Sequence, residues 1–411
     1  MSATASRTIA DTLVYPYLNH AVAMYEEGYA SREDIDAGMR FGCGLPRGPL
    51  AVVDELGLDR VRDALAELYA QTGDVRHQPR PVLDALVAQG RTGRAAGAGF
   101  YTYAAPGSEE VVPDESTPAP AGSDEHVRAV ETVGVVGSGT MATGIVQVFA
   151  QAGYPVTYVA RTQDKVDAVR SAISRGLDRA VEKGRTTREE ADAVLGRLTG
   201  ATTREALADA DLVVEAIAED IDVKTELFTD LDRICRDGAI LATTTSSLPV
   251  ADLAAVTSRP QDVVGMHFFN PAPVMRLVEV VRTDQTAQDV LDTVRTLCAR
   301  TRKVPVSCAD RSGFIVNALL FPYLNDAVRA LEEGHGSAED IDAAVVAEHE
   351  YPMGPFALLD VVGLDVSLAI QRELLAEFGH PGLVPARRLV EHVEAGRLGR
   401  KTGSGFLTYA K

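Results

Sequence analysis

The feature that most constrains this chain is that it repeats itself. Sliding the sequence along its own length gives one gapless match at an offset of 306 residues, Thr8 to Ala104 against Phe314 to Ala410, with roughly 42 of 97 positions identical. Two segments that similar fold alike. The anchors run in order: Pro16-Tyr17-Leu18-Asn19 with Pro322-Tyr323-Leu324-Asn325, Glu33-Asp34-Ile35-Asp36 with Glu339-Asp340-Ile341-Asp342, and Gly57-Leu58-Asp59 with Gly363-Leu364-Asp365. Inside each copy apolar residues recur at helical spacing, as in Leu319, Tyr323, Leu324, Ala327, Val328 and Leu331, and Gly or Pro punctuates between such runs. Each copy therefore reads as a small all-helical domain, one over residues 1–104 and the other over 310–411.

Between the copies the pattern changes twice. Residues 105–129 are rich in Pro, Ser, Gly and acid with few large apolar groups, the composition of a tether. From Val133 onward short β-branched runs (TVGVV, PVTYVA, DLVVEAI, AILATTT, VVGMHFF, RLVEVV) alternate with helical stretches. That alternation predicts a parallel, doubly wound sheet, an α/β Rossmann-type domain over residues 130–309.

Composition narrows the partners. Asp and Glu number 59 against 40 Lys and Arg, a formal charge of −19, which repels a nucleic-acid backbone or an anionic membrane. The first residues lack a basic stretch followed by an unbroken apolar run, and no segment reaches bilayer length, so a cytoplasmic location is expected. Cys43, Cys235, Cys298 and Cys308 are scattered without CxxC spacing, so no metal site and no disulfide framework is expected.

The run Gly137-Ser138-Gly139-Thr140-Met141-Ala142 follows the first β run and opens a helical pattern. Strand, glycine turn and helix in that order let backbone N–H groups meet a pyrophosphate, so this loop is read as a dinucleotide site. A second strand then ends at Ala160, followed by Arg161, where an NAD enzyme would ordinarily carry an acid for the ribose 2′-hydroxyl. With no carboxylate to repel a 2′-phosphate and a guanidinium able to pair with one, the chemistry leans toward NADP(H) over NAD(H).

Gly265 to Pro273 closes one β run and turns into another that carries Glu279 among Leu277, Val278, Val280 and Val281. A carboxylate in such a run is costly unless paired. Two strands joined by the Asn-Pro-x-Pro turn can place His267 beside it, giving an acid–base device in which the acid fixes the imidazole tautomer.

Taken together, GSGTM, EAIAEDIDVKTELF, TTTSSLP, GMHFFNPAPVMRLVEVV, DRSGFIVNALLFPY and GRKTGSGF make Val133 to Lys411 resemble the 3-hydroxyacyl-CoA dehydrogenases, particularly bacterial 3-hydroxybutyryl-CoA dehydrogenases. The resemblance implies a Rossmann domain followed by a helical domain of the 6-phosphogluconate dehydrogenase C-terminal type, with an acyl-CoA ester held between them. It implies reversible hydride transfer between C3 of a short-chain 3-hydroxyacyl-CoA and a nicotinamide ring, in fatty-acid or butanoate metabolism. Carried over by position, His267 resembles the general acid–base and Glu279 its orienting partner. Ser246 and Asn317 match the groups that contact the substrate oxygen, although read by themselves Ser246 could cap a helix and Asn317 could simply start one. By the same resemblance Glu219, Lys224 and Asn270 line the nicotinamide ribose side, Lys401 reaches the cofactor, and Lys183 stands where a CoA-contacting lysine is placed. Thr244 replaces the family's Asn. Two rival readings are a related β-hydroxyacid dehydrogenase on a non-CoA substrate and an idle NADP(H) or acyl-CoA sensor.

The repeat then separates the copies by function. Asn317 falls on Asp11 and Lys401 on Ala95, so both site contributions are lost in the first copy. The resemblance implies that such helical domains pair to make dimers. The first copy is therefore expected to be an internal pseudo-dimer partner of the second, with further self-association left open.

Overall fold

The structure, a computed structural model, describes residues 3–118 and 127–409. It divides into two compact units, Met1–Pro118 with Ser312–Lys411, and Ala119–Arg311. Each is taken by itself.

The first copy runs α1 (Ala3–Glu26), α2 (Arg32–Cys43), α3 (Pro49–Leu56), α4 (Leu58–Thr72) and α5 (Pro81–Ala88), ending in a two-residue strand, β1 (Thr102–Tyr103). Local chemistry sets these starts: the Ser31 hydroxyl accepts from Asp34 N–H at α2, and Pro49 opens α3, where its missing N–H costs nothing. Part of the expected tether folds back onto this copy. Strand β2 (Val111–Val112) pairs antiparallel with β1, and Asp114 accepts from Arg32 Nη2 at 2.6 Å and from Thr102 Oγ1 at 2.8 Å. Arg32 is 1 % exposed, and a guanidinium that deep requires an acid partner; the acidic stretch supplies it. The remainder of that tether, 119–126, lies outside the described residues.

The second unit carries β3 (Val133–Val136), α6 (Thr140–Gln151), β4 (Val156–Val159), α7 (Gln163–Glu182), α8 (Arg188–Gly196), β5 (Leu198–Ala201), β6 (Leu212–Glu215), α9 (Ile221–Ile234), β7 (Ile240–Thr243), α10 (Val250–Ala255), β8 (Val263–Phe268), β9 (Leu277–Arg282), α11 (Gln288–Arg300) and β10 (Val304–Ala309). Its eight-stranded sheet has the order β10-β9-β8-β7-β6-β3-β4-β5. All pairings are parallel except β8 with β9. Strands β3, β6, β7 and β8 are buried along their whole length, as expected where helices cover both faces. Both edges, β5 and β10, escaped the sequence reading. LTGA is short and weakened by Gly200, and VPVSCA holds Pro305, which an edge strand tolerates.

The second copy runs α12 (Val316–Glu332), α13 (Ala338–His349), α14 (Pro355–Val362), α15 (Leu364–Phe378) and α16 (Arg387–Glu394). Two pairs of its identities with the first are aspartates that clasp backbone N–H groups. Asp36 accepts from the N–H groups of Leu50 and Ala51, and Asp342 from those of Phe356 and Ala357. Asp54 holds the N–H groups of Phe100 and Tyr101, and Asp360 those of Phe406 and Leu407. Gly48 and Gly354 are obligatory beside these carboxylates, because an added Cβ would lie 2.1 Å from Asp36 Cβ and 2.4 Å from Asp342 Cβ.

The copies pack together. Helix α1 lies against α12 and α13, while α2 lies against α12. Tyr17 and Tyr323, equivalent under the repeat, meet with ring centroids 5.7 Å apart. Arg76 donates to Asp326 at 2.9 and 3.1 Å, and its guanidinium occupies the space beside Gly382, where a Cβ would lie 2.2 Å from Nε. Among the described residues no helix is long and apolar enough to cross a membrane.

Candidate active site

The glycine loop follows β3, an interior strand between β6 and β4. Gly137 has φ 138°, and a Cβ there would stand 2.3 Å from the Ala216 carbonyl oxygen, so only glycine lets the backbone pass. Gly139 caps α6 without any side-chain hydrogen bond, and a Cβ on it would meet nothing within 4 Å. The N–H groups of the first α6 turn, at Thr140 and Met141, are thus uncapped by side chains beside open space, which fits a dinucleotide pyrophosphate. Ser138 belongs to the same turn. Helix α6 is clamped from the other side, since a Cβ on Gly144 would come within 3.1 Å of both Ala272 Cβ and Pro273 Cδ. At the end of β4, Ala160 is buried and Arg161 exposed.

Strands β8 and β9 pair antiparallel with His267 directly opposite Glu279. The imidazole Nδ1 lies 2.6 Å from Glu279 Oε2, and Ser246 Oγ lies 3.2 Å from Nε2. Glu279 is fully buried and His267 is 6 % exposed. Since the carboxylate can only accept, Nδ1 carries the hydrogen and Nε2 is left to exchange a proton toward Ser246. Phe269 stands edge-on to the imidazole with centroids 4.7 Å apart. Ser246 is not a helix cap: α10 begins after Pro249 with no side-chain cap.

A second network holds Ser246. Glu219 accepts from Ser246 N–H at 2.8 Å and from Thr245 Oγ1 at 2.5 Å. Lys224 Nζ lies 3.2 Å from Glu219 and donates to both oxygens of Glu215 at 2.7 and 2.8 Å, while Thr243 Oγ1 donates to Glu215 at 2.6 Å. Burial pushes the Glu219 carboxyl upward, but the Lys224 charge and the Thr245 and Ser246 donors outweigh it and hold it below the usual range. Lys224 is 1 % exposed and paired with both carboxylates, so it braces the loop carrying Ser246 through Glu219. Glu215 and Thr243 were missed in the sequence. The signal was present, since Glu215 sits in the apolar run DLVVEAI just as Glu279 sits in RLVEVV.

Asn270 is exposed beyond the end of β8, and Lys183 is the exposed C-cap of α7. In the other unit Asn317 lies in the first turn of α12, 9 % exposed, and Lys401 Nζ is paired with Asp365 at 2.5 and 2.7 Å. Ser246, His267 and Glu279 thus form one contact chain, adjoined by Glu219 and Lys224. Among the described residues no cluster of His, Cys, Asp and Glu could hold a metal ion.

A doubly wound sheet with a bare glycine loop after an interior strand and a buried His–Glu pair at a strand end defines a dinucleotide-binding oxidoreductase fold. The sequence comparisons narrow it. The NAD-binding domain of 3-hydroxyacyl-CoA dehydrogenase matches residues 132–311, and the C-terminal domain of the same enzymes matches twice, over 9–103 and 313–409. The chain is 47 % identical over 290 residues to a 3-hydroxybutyryl-CoA dehydrogenase of Mycobacterium tuberculosis, covering 68 % of this chain and 99 % of the relative. It is 43 % identical over 277 residues to that of Clostridioides difficile, covering 67 % and 99 %. The crystal structure of (S)-3-hydroxybutyryl-CoA dehydrogenase from Ralstonia eutropha matches with a TM-score of 0.66 at 40 % identity, over 69 % of this chain and all of that one. The chain belongs to the 3-hydroxyacyl-CoA dehydrogenase family, with one C-terminal-type domain more than these relatives need.

Proposed function

We propose that the chain is a 3-hydroxyacyl-CoA dehydrogenase for short-chain esters, interconverting 3-hydroxybutyryl-CoA and acetoacetyl-CoA. The observation that carries this is the Glu279–His267–Ser246 chain, at 2.6 and 3.2 Å. The nicotinamide, when bound, supplies or accepts the hydride. In the oxidative direction His267 Nε2 takes the substrate hydroxyl proton, and Glu279 stabilises the resulting imidazolium where bulk water is excluded. Ser246 donates to the substrate oxygen, and Asn317 adds a second donor on the strength of its motif; one such donor is worth about 2–4 kcal/mol of barrier. Glu219, Lys224 and Asn270 keep the nicotinamide side in place. His267→Gln or Glu279→Gln is expected to lower kcat for acetoacetyl-CoA reduction by roughly 10²–10⁴-fold. Cofactor affinity in those variants should stay within about threefold, and near-native turnover in either would defeat the assignment.

For the cofactor we favour NADP(H) over NAD(H), on Arg161 and the missing acid at Ala160. Parallel kcat/KM values with NADPH and NADH decide it: Arg161→Ala should erode the NADPH value selectively, and an NADH preference indifferent to Arg161 sinks it.

We read the first copy as an internal stand-in for a dimer partner. Equivalent elements contacting one another, with Tyr17 against Tyr323, is the isologous pattern of a two-fold pair, and it supports this reading.

A further inference from the structure

The two copies enter their first helices differently, and the difference lies just before Asn317. In the first copy α1 starts at Ala3 and passes through Arg7, Thr8 and Ile9, the equivalents of Gly313, Phe314 and Ile315. In the second copy α12 begins only at Val316. Gly313 and Phe314 ahead of it have φ 77° and 46°, and a left-handed backbone on a phenylalanine is strained. The first turn is also wide, since Ala318 N–H donates to the Gly313 carbonyl, five residues back, at 3.0 Å. Ile315 stands at the N-cap, where its side chain has no atom that could accept from an N–H of that turn. Local chemistry therefore does not hold this entry, and the same fold offers a longer straight helix as the relaxed alternative. Packing has to hold it.

Part of that packing lies within the second copy. A Cβ on Gly313 would lie 2.7 Å from Leu374 Cδ2 of α15, and Phe314 and Ile315 are 1 % and 0 % exposed. Another part comes from the first copy. Gly38 is buried inside α2, and a Cβ on it would stand 3.1 Å from Ile315 Cγ2, 3.7 Å from Ile315 Cβ and 3.8 Å from Val316 Cγ2. The Ile315 side chain thus seats in the notch that the glycine leaves. Glycine is a poor residue for a helix interior, and Ala344 fills the equivalent position of α13, so the helical fold itself does not demand the notch. What the notch admits is the close approach of the entry to α12. Asn317 follows Ile315 by two residues, a rise of about 3 Å, and lies 9 % exposed in the first turn.

We propose that Gly38 of the first copy is a positioning residue for the second: by seating Ile315 it fixes the strained start of α12 and so the placement of the Asn317 amide. This rests on the role proposed above for Asn317. It gives the first copy a part in turnover beyond covering apolar surface.

The test uses the full chain and reads acetoacetyl-CoA reduction at saturating cofactor. Gly38→Ala should lower kcat about fivefold and Gly38→Val about thirtyfold with KM within about twofold, because a slightly displaced donor loses its hold on the transition state rather than on the substrate. Ile315→Leu removes Cγ2 at nearly constant volume, so Gly38→Ala/Ile315→Leu should come within about twofold of Ile315→Leu alone. Ala344→Val crowds the equivalent position of α13; it should lower the melting temperature at least as far as Gly38→Ala does, yet leave kcat within about twofold. In an Asn317→Ala background, itself down about 10²-fold, Gly38→Ala should cost less than about twofold more, since two changes acting through one donor do not multiply. Native kcat in both Gly38 variants, no rescue by Ile315→Leu, an equal loss in Ala344→Val, or full multiplication with Asn317→Ala overturns the positioning role and leaves that of Asn317 standing. Native kcat in Asn317→Ala, or a parent chain that does not turn over the ester, overturns the functional reading itself and the positioning role with it.

Discussion

At Asp54 and Asp360 the two helical copies are interchangeable: each carboxylate gathers two backbone N–H groups and ties the same tail to the same helix. At positions 11 and 317 they are not. The second copy has Asn317, an amide that can donate; the first has Asp11, whose carboxylate lies 3.8 Å from His349 of the opposite copy. The contrast teaches which constraint each copy still obeys. Packing is retained in both, while the side chains proposed for chemistry survive in one.

Three perturbations break or sharpen that contrast, in falling order of effect. Deleting residues 1–118 should be the most severe, because it uncovers the faces of α12 and α13 that α1 now covers. Light scattering should find the truncated chain self-associated or insoluble, and a stable monomer would end the pseudo-dimer reading. Next, exchanging the diagnostic residues separates chemistry from packing. Asn317→Asp should cut kcat roughly 10²-fold at unchanged thermal stability, as expected for a lost donor, while Asp11→Asn should leave kcat unaltered. Equal effects of the two substitutions would erase the functional distinction between copies.

The smallest effect belongs to a clasp that the second copy lacks, Arg32 with Asp114, since Ala338 stands at the equivalent position there. Asp114→Ala should cost roughly 1–3 kcal/mol in urea denaturation and open residues 105–117 to proteolysis. The pH dependence has a definite sign. Arg32 holds the Asp114 carboxyl well below the ordinary carboxylate range, so its contribution is complete above the unfolded pKa and fades as pH falls through the folded one. The stability gap between wild type and Asp114→Ala should therefore be full at neutral pH and narrow below about pH 4. A gap that widens on acidification would show that Asp114 is not held this way.

The sequence was readable wherever spacing alone carries the physics. The repeat, the glycine loop and the β8–β9 hairpin that sets His267 against Glu279 are local patterns or fixed offsets. What stayed hidden depends on distant residues converging. The loop that carries Ser246 is held by Glu219, 27 residues earlier, and Thr243 reaches back 28 residues to Glu215. Lys401 likewise has its charge taken up by Asp365, 36 residues earlier. The acidic stretch after Ala104 read as a tether because composition cannot reveal a buried Arg32 waiting for an acid.

Arg76 and Gly382 occupy the same position of the repeat, and the guanidinium of one fills the space that the absent side chain of the other leaves. No pair of identical subunits can build that contact, because one gene position would have to encode both residues at once. With both copies in a single chain, a change on one side of their contact need not be matched on the other. At this position the join between them is a lock and key, one side filled and the other hollow, and neither half can build it by pairing with itself.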